Sequence, residues 1–350
     1  MQSKIIATTT ALPEFTITQE ESLAYVDLWV NQLSEREQKK AKRIFKYAEV
    51  DKRYIVRTPA SMLKGDSFET RNRIYMERAI SLGEKALNDA LEIANLRPED
   101  IDIIISTSCT GFMIPSVDAY LINRLGMRKD IVRLPVTEMG CAAGTSALIY
   151  AHNLLKARPG CRIAILAAEF PSCAVVREDF SMTNIVCAAI FGDGVACTIL
   201  GPTDEVRPVI LDGEMYHFFD AIDMMGYDVK DTGFHMVLHP QVPERIEAHF
   251  DEILFPFLEK NQLSIDDISH MIFHPGGKKI IHMVEGLLSN LGKDIEDTKA
   301  VLREFGNMSS ATVLYVLERF LRKDIAAGDY GLMLSFGPGF SAQRVLMQWQ

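Results

Sequence analysis

Two kinds of hydrophobic run alternate along the chain. In MERAISLGEKALNDALEIANL (76–96), Ile80, Leu87, Leu91 and Ala94 recur at helical spacing on one face, and the RPED that follows breaks the pattern. Immediately beyond it, IDIIIST (101–107) is an unbroken β-branched run, which predicts a buried strand emptying into the Gly- and Pro-containing loop SCTGFMIPS. A helix over about 116–126, a strand-like DIVRLPV, and the apolar runs CRIAILAAE (161–169) and GVACTILGP (194–202) extend the alternation. Ahead of these, past a short apolar start at Ile5 and Ile6, SEREQKKAKRIFKYAEVDKRY (34–54) is dense in charge and helix formers.

The second half repeats the order. HMIFHP (270–275) reads as a strand and KKIIHMVEGLLSNLG as a helix; SATVLYVLERFLRKD is a helix with Val313, Leu317, Phe320 and Leu321 inward, and YGLMLSFGPG (330–339) a closing buried strand. Such alternation predicts an α/β fold with mixed or parallel sheets sandwiched by helices. GPTDEVRP (201–208) carries the turn residues of a junction, dividing the chain into an N-terminal half, 1–203, and a C-terminal half, 204–350. The halves share element order but little sequence identity.

Composition narrows the class. With 350 residues, 48% hydrophobic and 24% charged, the chain can bury a large core. A net charge of −10 argues against a general nucleic-acid or acidic-membrane partner, which needs a broad positive face. The chain shows neither the flanks of a secretory leader nor a stretch of about 18 apolar residues. Its cysteines, 109, 141, 161, 173, 187 and 197, lack the CxxC pairs of a zinc site. These features predict a soluble protein of the reducing cytoplasm, with no metal and no membrane partner.

Candidate chemistry begins at Cys141. Most free cysteines are simply buried. Here, however, Gly140 permits a tight entry and AAGTSALIYA is helix-competent, so the thiol sits where helix amides and dipole favour a thiolate. Among eight histidines, His274 stands apart: FHPGGKK puts it at the end of a buried strand, followed by two glycines that allow close backbone approach. Asn307, in EFGNMSSATVL, opens a helix and reads either as a cap or as a third functional group. A Cys/His/Asn set also suggests a papain-like protease, but the local signature around that family's cysteine is missing.

Taken in order, MGCAAG, FGDG (191–194), FHPGGKK, FGNMSS and SFGPGF (335–340) resemble the motifs of the type III polyketide synthases, the chalcone and stilbene synthase family, over nearly the whole chain. The resemblance implies a thiolase-like fold with a duplicated five-layered αβαβα core, a homodimer, and no metal or redox cofactor. It makes Cys141 the nucleophile that accepts an acyl starter, His274 its imidazolium partner and Asn307 the amide that works with it. Phe191 matches the gatekeeper phenylalanine. A second gatekeeper falls on Met236, a departure from the phenylalanine of plant members. Gly192 and Ser309 are taken as cavity positions from the same motifs. Cys109 and Ile114 occupy a loop that in plant members carries a threonine and a methionine reaching into the neighbouring subunit. Pro171 and Ala174 match two pocket threonines approximately. Lys40 and Arg43 match positions that bind coenzyme A phosphates; the third falls on Tyr47, with Lys46 beside it.

The implied reaction loads an acyl-CoA on Cys141, extends it with malonyl-CoA by decarboxylative condensation, and releases a pyrone, resorcinol or related product. Two alternatives remain at this stage: a 3-oxoacyl-carrier-protein synthase III-like enzyme making one condensation, and a noncatalytic binding protein keeping the fold. Small residues at Ala174 and Ala189 suggest room for a long or bulky starter.

Overall fold

The computed structural model describes residues 3–350. Strands β1 (Ser3–Ala11), β4 (Ile103–Thr107), β5 (Val132–Val136), β6 (Ile163–Glu169) and β7 (Gly194–Pro202) belong to the N-terminal half of one nine-stranded sheet. The C-terminal half of that sheet is β8 (Pro208–His217), β11 (Ile268–Phe273), β12 (Tyr330–Gly337) and β13 (Ser341–Trp349). Two ribbons stand apart: β2 (Phe15–Thr18) with β3 (Lys52–Ile55), and β9 (Met225–Lys230) with β10 (Gly233–Leu238). The helices are α1 (Gln19–Trp29), α2 (Glu35–Lys46), α3 (Pro59–Lys64), α4 (Phe68–Ile93), α5 (Val117–Arg124) and α6 (Ala143–Ala157). Then come α7 (Pro171–Ala174), α8 (Met182–Ile190), α9 (Val242–Lys260), α10 (Lys278–Ser289), α11 (Glu296–Phe305) and α12 (Thr312–Leu321).

Strand order is β11-β12-β13-β8-β1-β7-β6-β4-β5. Its two ends are copies of each other. β4–β6 is parallel with β6–β7 and β7–β1 antiparallel, just as β11–β12 is parallel with β12–β13 and β13–β8 antiparallel. The copies join where Lys4 of β1 pairs with Val209 of β8. Among the described residues strand β5 has no counterpart, and it forms a largely exposed edge.

Continuous apolar strands arise because each is buried on both faces. Ile103 and Ile105 point into a central core with Ile163, Ile165 and the inner faces of α6 and α12. Ile104 points the other way, with Ala164 and Leu166, onto α4 and α5. In the C-terminal copy Met333 faces the centre, whereas Leu332 and Leu334 face α9 and α10. The stack is therefore α4/α5, sheet, α6/α12, sheet, α9/α10: five layers of the thiolase-like kind.

Helix α4 begins eight residues before the run read from periodicity, because Ser67 caps it from outside the apolar stripe and accepts from the Thr70 amide. The closing strand is β13 rather than β12; the alternation in SAQRVLMQW is masked because both of its faces are buried. Ala189 points into the C-terminal outer core and does not line a cavity, so the room expected there is absent.

The two central helices start alike. Met139-Gly140-Cys141-Ala142 and Met308-Ser309-Ser310-Ala311 each make a 3-10 turn, with Gly140 at φ +50° and Ser309 at φ +49°. Their turns meet so closely that a Cβ on Gly144 would lie 2.2 Å from the Ser310 carbonyl oxygen, which is backbone and cannot step aside. Gly144→Ala should therefore lower stability by about 1–3 kcal/mol, seen as a lower urea midpoint at unchanged slope. A variant as stable as the parent would show that this crossing relaxes freely.

Candidate active site

Each functional side chain is delivered by a local feature of the chain. Gly140 takes its left-handed turn against Pro338, and Cys141 follows within one turn of the start of α6. His274 comes directly off β11, its amide bonded to the Leu334 carbonyl at 3.0 Å as a continuation of the sheet. Asn307 lies between α11 and the turn at Ser309, where its amide donates to the Ile190 carbonyl at 2.8 Å and its carbonyl accepts from Gly192 at 3.0 Å. That pairing also sets Phe191, which forms an isolated bridge with Asn307.

The three groups open onto one cavity of about 50 Å³ of free space. Cys109, Phe191, Met236 and Ser309 line it too, as do Met225, Tyr227 and Leu238 of the β9–β10 hairpin. Asn307 is locked in orientation. Its Oδ1 accepts from the Ser309 amide at 2.8 Å and from Thr312 Oγ1 at 3.2 Å, which leaves Nδ2 as the donor, shared with the Gly276 carbonyl at 3.3 Å. Cysteine, imidazole, a fixed amide donor and an apolar wall together make a site for acyl transfer.

Family models agree with this geometry. Residues 2–204 match the chalcone and stilbene synthase N-terminal domain and residues 219–349 the C-terminal domain. The chain belongs to the chalcone and stilbene synthase family. It is a type III polyketide synthase, an acyltransferase of decarboxylative condensation, and the single-round carrier-protein alternative is not favoured. The 1,3,6,8-tetrahydroxynaphthalene synthase of Streptomyces coelicolor is 33% identical over 97% of this chain and 90% of its own. Phloroglucinol synthase of Pseudomonas fluorescens is 32% identical over 88% of this chain and 89% of its own. The crystal structure of the S. coelicolor enzyme superposes with a TM-score of 0.93 at 32% identity, covering 99% of each chain. PKS-I of the brown alga Ectocarpus siliculosus gives 0.91 at 26% identity, covering 100% of this chain and 98% of that one.

Not every residue expected at the polyketide synthase cavity lines it. Gly192 lies behind the wall: a Cβ there would meet the Phe305 carbonyl oxygen at 2.2 Å, so glycine serves backbone packing. Ile114 is 80% exposed and faces away from this chain's own cavity. Lys40, Arg43 and Lys46 are exposed on α2; Arg43 and Lys46 line a surface groove with Tyr47, and Lys40 lies outside it. Within that groove Lys42 is paired to Asp27 at 2.5 Å.

Sequence reading missed Glu169 and Tyr227. Glu169 is fully buried, accepting from Ser310 at 2.5 Å, Thr110 at 2.7 Å and the Cys109 amide at 3.1 Å. Cys109 Sγ lies 3.1 Å from Ser309 Oγ, so this carboxylate braces one wall of the site. The signal was present: a lone acid closing an otherwise apolar strand. Tyr227 was signalled by the alternation of β9, where Met225 and Tyr227 face the cavity and Asp228 and Lys230 are exposed.

Burial works against the charged forms of both Cys141 and His274. Burial pushes the Cys141 thiol up to about 11, although hydrogen bonds from Ser309 and Asn307 pull the other way. His274 is pushed down to about 3 by burial, and among the described residues neither ring nitrogen has a hydrogen-bond partner. Desolvation thus favours the neutral form of each group and opposes the helix terminus.

This has a consequence for acid stability. Between about 3 and its ordinary value of 6.5, His274 binds a proton only when unfolded, so its contribution is lost as pH falls through that window. The limiting slope is about 1.4 kcal/mol per pH unit. Asp193, pushed up to about 6 by burial, acts in the opposite direction, so the comparison must be with a variant. Urea midpoints of the parent should fall more steeply from pH 6.5 to 4 than those of His274→Gln; parallel curves would mean that His274 takes its proton in the folded state.

Proposed function

We propose that Cys141, His274 and Asn307 are the catalytic groups of this polyketide synthase, divided between the halves 1–203 and 204–350. Convergence of the three on one apolar-walled cavity carries the reading. Neutral His274 takes the Cys141 proton as sulfur attacks the acyl-CoA thioester, and returns it to the departing coenzyme A thiolate. Malonyl-CoA then loses carbon dioxide. The electron pair of the broken C–C bond becomes an enolate whose oxygen is held by N–H donors of His274 and Asn307. The enolate carbon attacks the Cys141 thioester, forming the new C–C bond; the tetrahedral oxyanion collapses and breaks the C–S bond, releasing a 3-oxoacyl-CoA and the Cys141 thiolate, which attacks that thioester for the next cycle and releases coenzyme A thiolate, or takes a proton from solvent at the end.

Both charges that develop are oxyanions, and the apolar wall of Phe191 and Met236 favours a carboxylate leaving as neutral carbon dioxide. The steps are redox-neutral, so CoA thioesters suffice and no metal or redox cofactor is called for. The exposed cations Lys40, Arg43 and Lys46 are the proposed contacts for coenzyme A phosphates. Six free cysteines fit a cytoplasmic location, and among the described residues no helix is long and apolar enough to cross a membrane. We assign no nucleic-acid partner to this acidic chain.

Purified enzyme supplied with malonyl-CoA and a series of acyl-CoAs should yield multiply extended, cyclised products by mass; singly extended acyl chains alone would overturn the reading. Cys141→Ala should abolish acyl-enzyme formation. Asn307→Asp keeps the Ser309 and Thr312 contacts but replaces the donor with an anion, and should lower kcat about 100- to 1000-fold.

A homodimer is also proposed. The bare edge of β5, with Val132 40% exposed, lies near in sequence to exposed Phe112 (57%) and Ile114 (80%), an apolar set that water does not favour. Sedimentation should give about twice the 39.3 kDa chain mass. A species at the chain mass at micromolar concentration would remove the proposal.

A further inference from the structure

Two segments that share no sheet contribute to the wall of the active-site cavity. One is the end of α8 and the residue after it, which bring Ile190 and Phe191; the other is the β9–β10 hairpin, where Tyr227 and Met236 are cross-strand partners. A lone two-stranded ribbon is marginal in water, so its place in the wall depends on what ties it down. Arg71 holds the tip by donating to the Thr232 carbonyl, and is itself fixed by the Cys173 carbonyl at 3.0 Å and the Asp66 carbonyl at 2.8 Å. None of these contacts reaches the α8 side of the wall.

His235 does. It precedes Met236, so the alternation of the strand turns it to the opposite face of the hairpin. There its Nδ1 lies 3.1 Å from Asp179 Oδ2. A carboxylate only accepts, so Nδ1 carries the proton and donates, and Nε2 of the neutral ring accepts from the Thr232 hydroxyl at 2.7 Å. Both side chains are more than four-fifths shielded, at 16% and 17% exposure, which sets this pair apart from a solvated surface contact. Asp179 is firmly built into the entry of α8: its Oδ1 accepts from the Ser181 amide at 2.8 Å, and its carbonyl from Asn184 Nδ2 at 2.7 Å. Among the described residues, His235 to Asp179 is the one side-chain hydrogen bond that joins the hairpin to this segment.

We propose that His235 is a positioning residue of this polyketide synthase. Through Asp179 it holds the Tyr227 and Met236 wall at a fixed spacing from Ile190 and Phe191, and that spacing governs how the growing chain partitions between further extension and early release. Cys141, His274 and Asn307 stand on other elements, so loading of the starter does not depend on the His235 contact. The inference rests on acylation of Cys141 as proposed above and adds a residue that acts after it.

Two measurements test it. In the first, malonyl-CoA is supplied with whichever acyl-CoA of 2 to 12 carbons the parent turns over fastest. Acylation of Cys141 is read by intact mass without malonyl-CoA, and the ratio of the longest product to earlier-released products is read with it. In His235→Ala acylation should stay within about threefold of the parent while the ratio falls at least about fivefold, since misplacement far from the reacting atoms acts on the steps that need a folded chain. His235→Asn keeps an N–H donor close to the place of Nδ1 and should restore the ratio to within about twofold. An unchanged ratio in His235→Ala, an equal fall in both variants, or acylation falling in step with the ratio would overturn the proposal. In the second, hydrogen exchange is followed on the unmodified enzyme. The amides of 233–238 should exchange at least about 100-fold slower than in unstructured chain; faster exchange with α8 still protected would overturn the proposal even where both variants misfold. If no acyl-CoA acylates the parent, it is the catalytic assignment that fails, and the exchange measurement, which needs no chemistry, still decides whether the hairpin is held.

Discussion

The position of the site depends on one close approach, that of the starts of α6 and α12 at the centre of the duplicated sheet. Gly144 lets the two backbones come together at Ser310, and hydrogen bonds bind the crossing to both copies: Thr107 to Ser310 at 3.0 Å and Thr145 to Ser335 at 2.5 Å. Here two equivalent turns diverge chemically. One presents Cys141; the other presents Ser310, whose hydroxyl donates to buried Glu169. The duplicated skeleton thus brings Cys141 of one copy to the cavity that His274 and Asn307 of the other also line.

Two opposing effects act on the Cys141 thiol. The 3-10 turn and the start of α6 favour a thiolate, an effect of the order of 1 kcal/mol at a helix end. Taking a charge out of water costs several kcal/mol unless it is paired, and burial is the largest influence on both Cys141 and His274. In the mechanism proposed above, a neutral imidazole would donate an N–H to the developing enolate, whereas an imidazolium would hold the malonyl carboxylate and oppose its loss.

Much of the skeleton was legible in the sequence. Strands β4, β6, β7 and β12 announced themselves as apolar runs because they are buried on two faces, and α12 as a helical stripe. The catalytic candidates were legible because each sits at a strand or helix junction beside glycine or in a short motif. What stayed hidden depends on position in space. Gly192 belongs to a cavity motif yet serves a backbone contact. Glu169 looked like the polar end of a strand, since nothing local tells that Ser310, Thr110 and the Cys109 amide converge on it.

Among the described residues the β9–β10 hairpin pairs only with itself, yet it supplies Met225, Tyr227, Met236 and Leu238 to the cavity wall. It is tied to the body by Arg71, which donates to the Thr232 carbonyl, and by His235 at 3.1 Å from Asp179. No ladder hydrogen bond of the main sheet runs through it. Its inward side chains therefore shape the cavity while carrying no part of the main sheet's hydrogen-bond ladder.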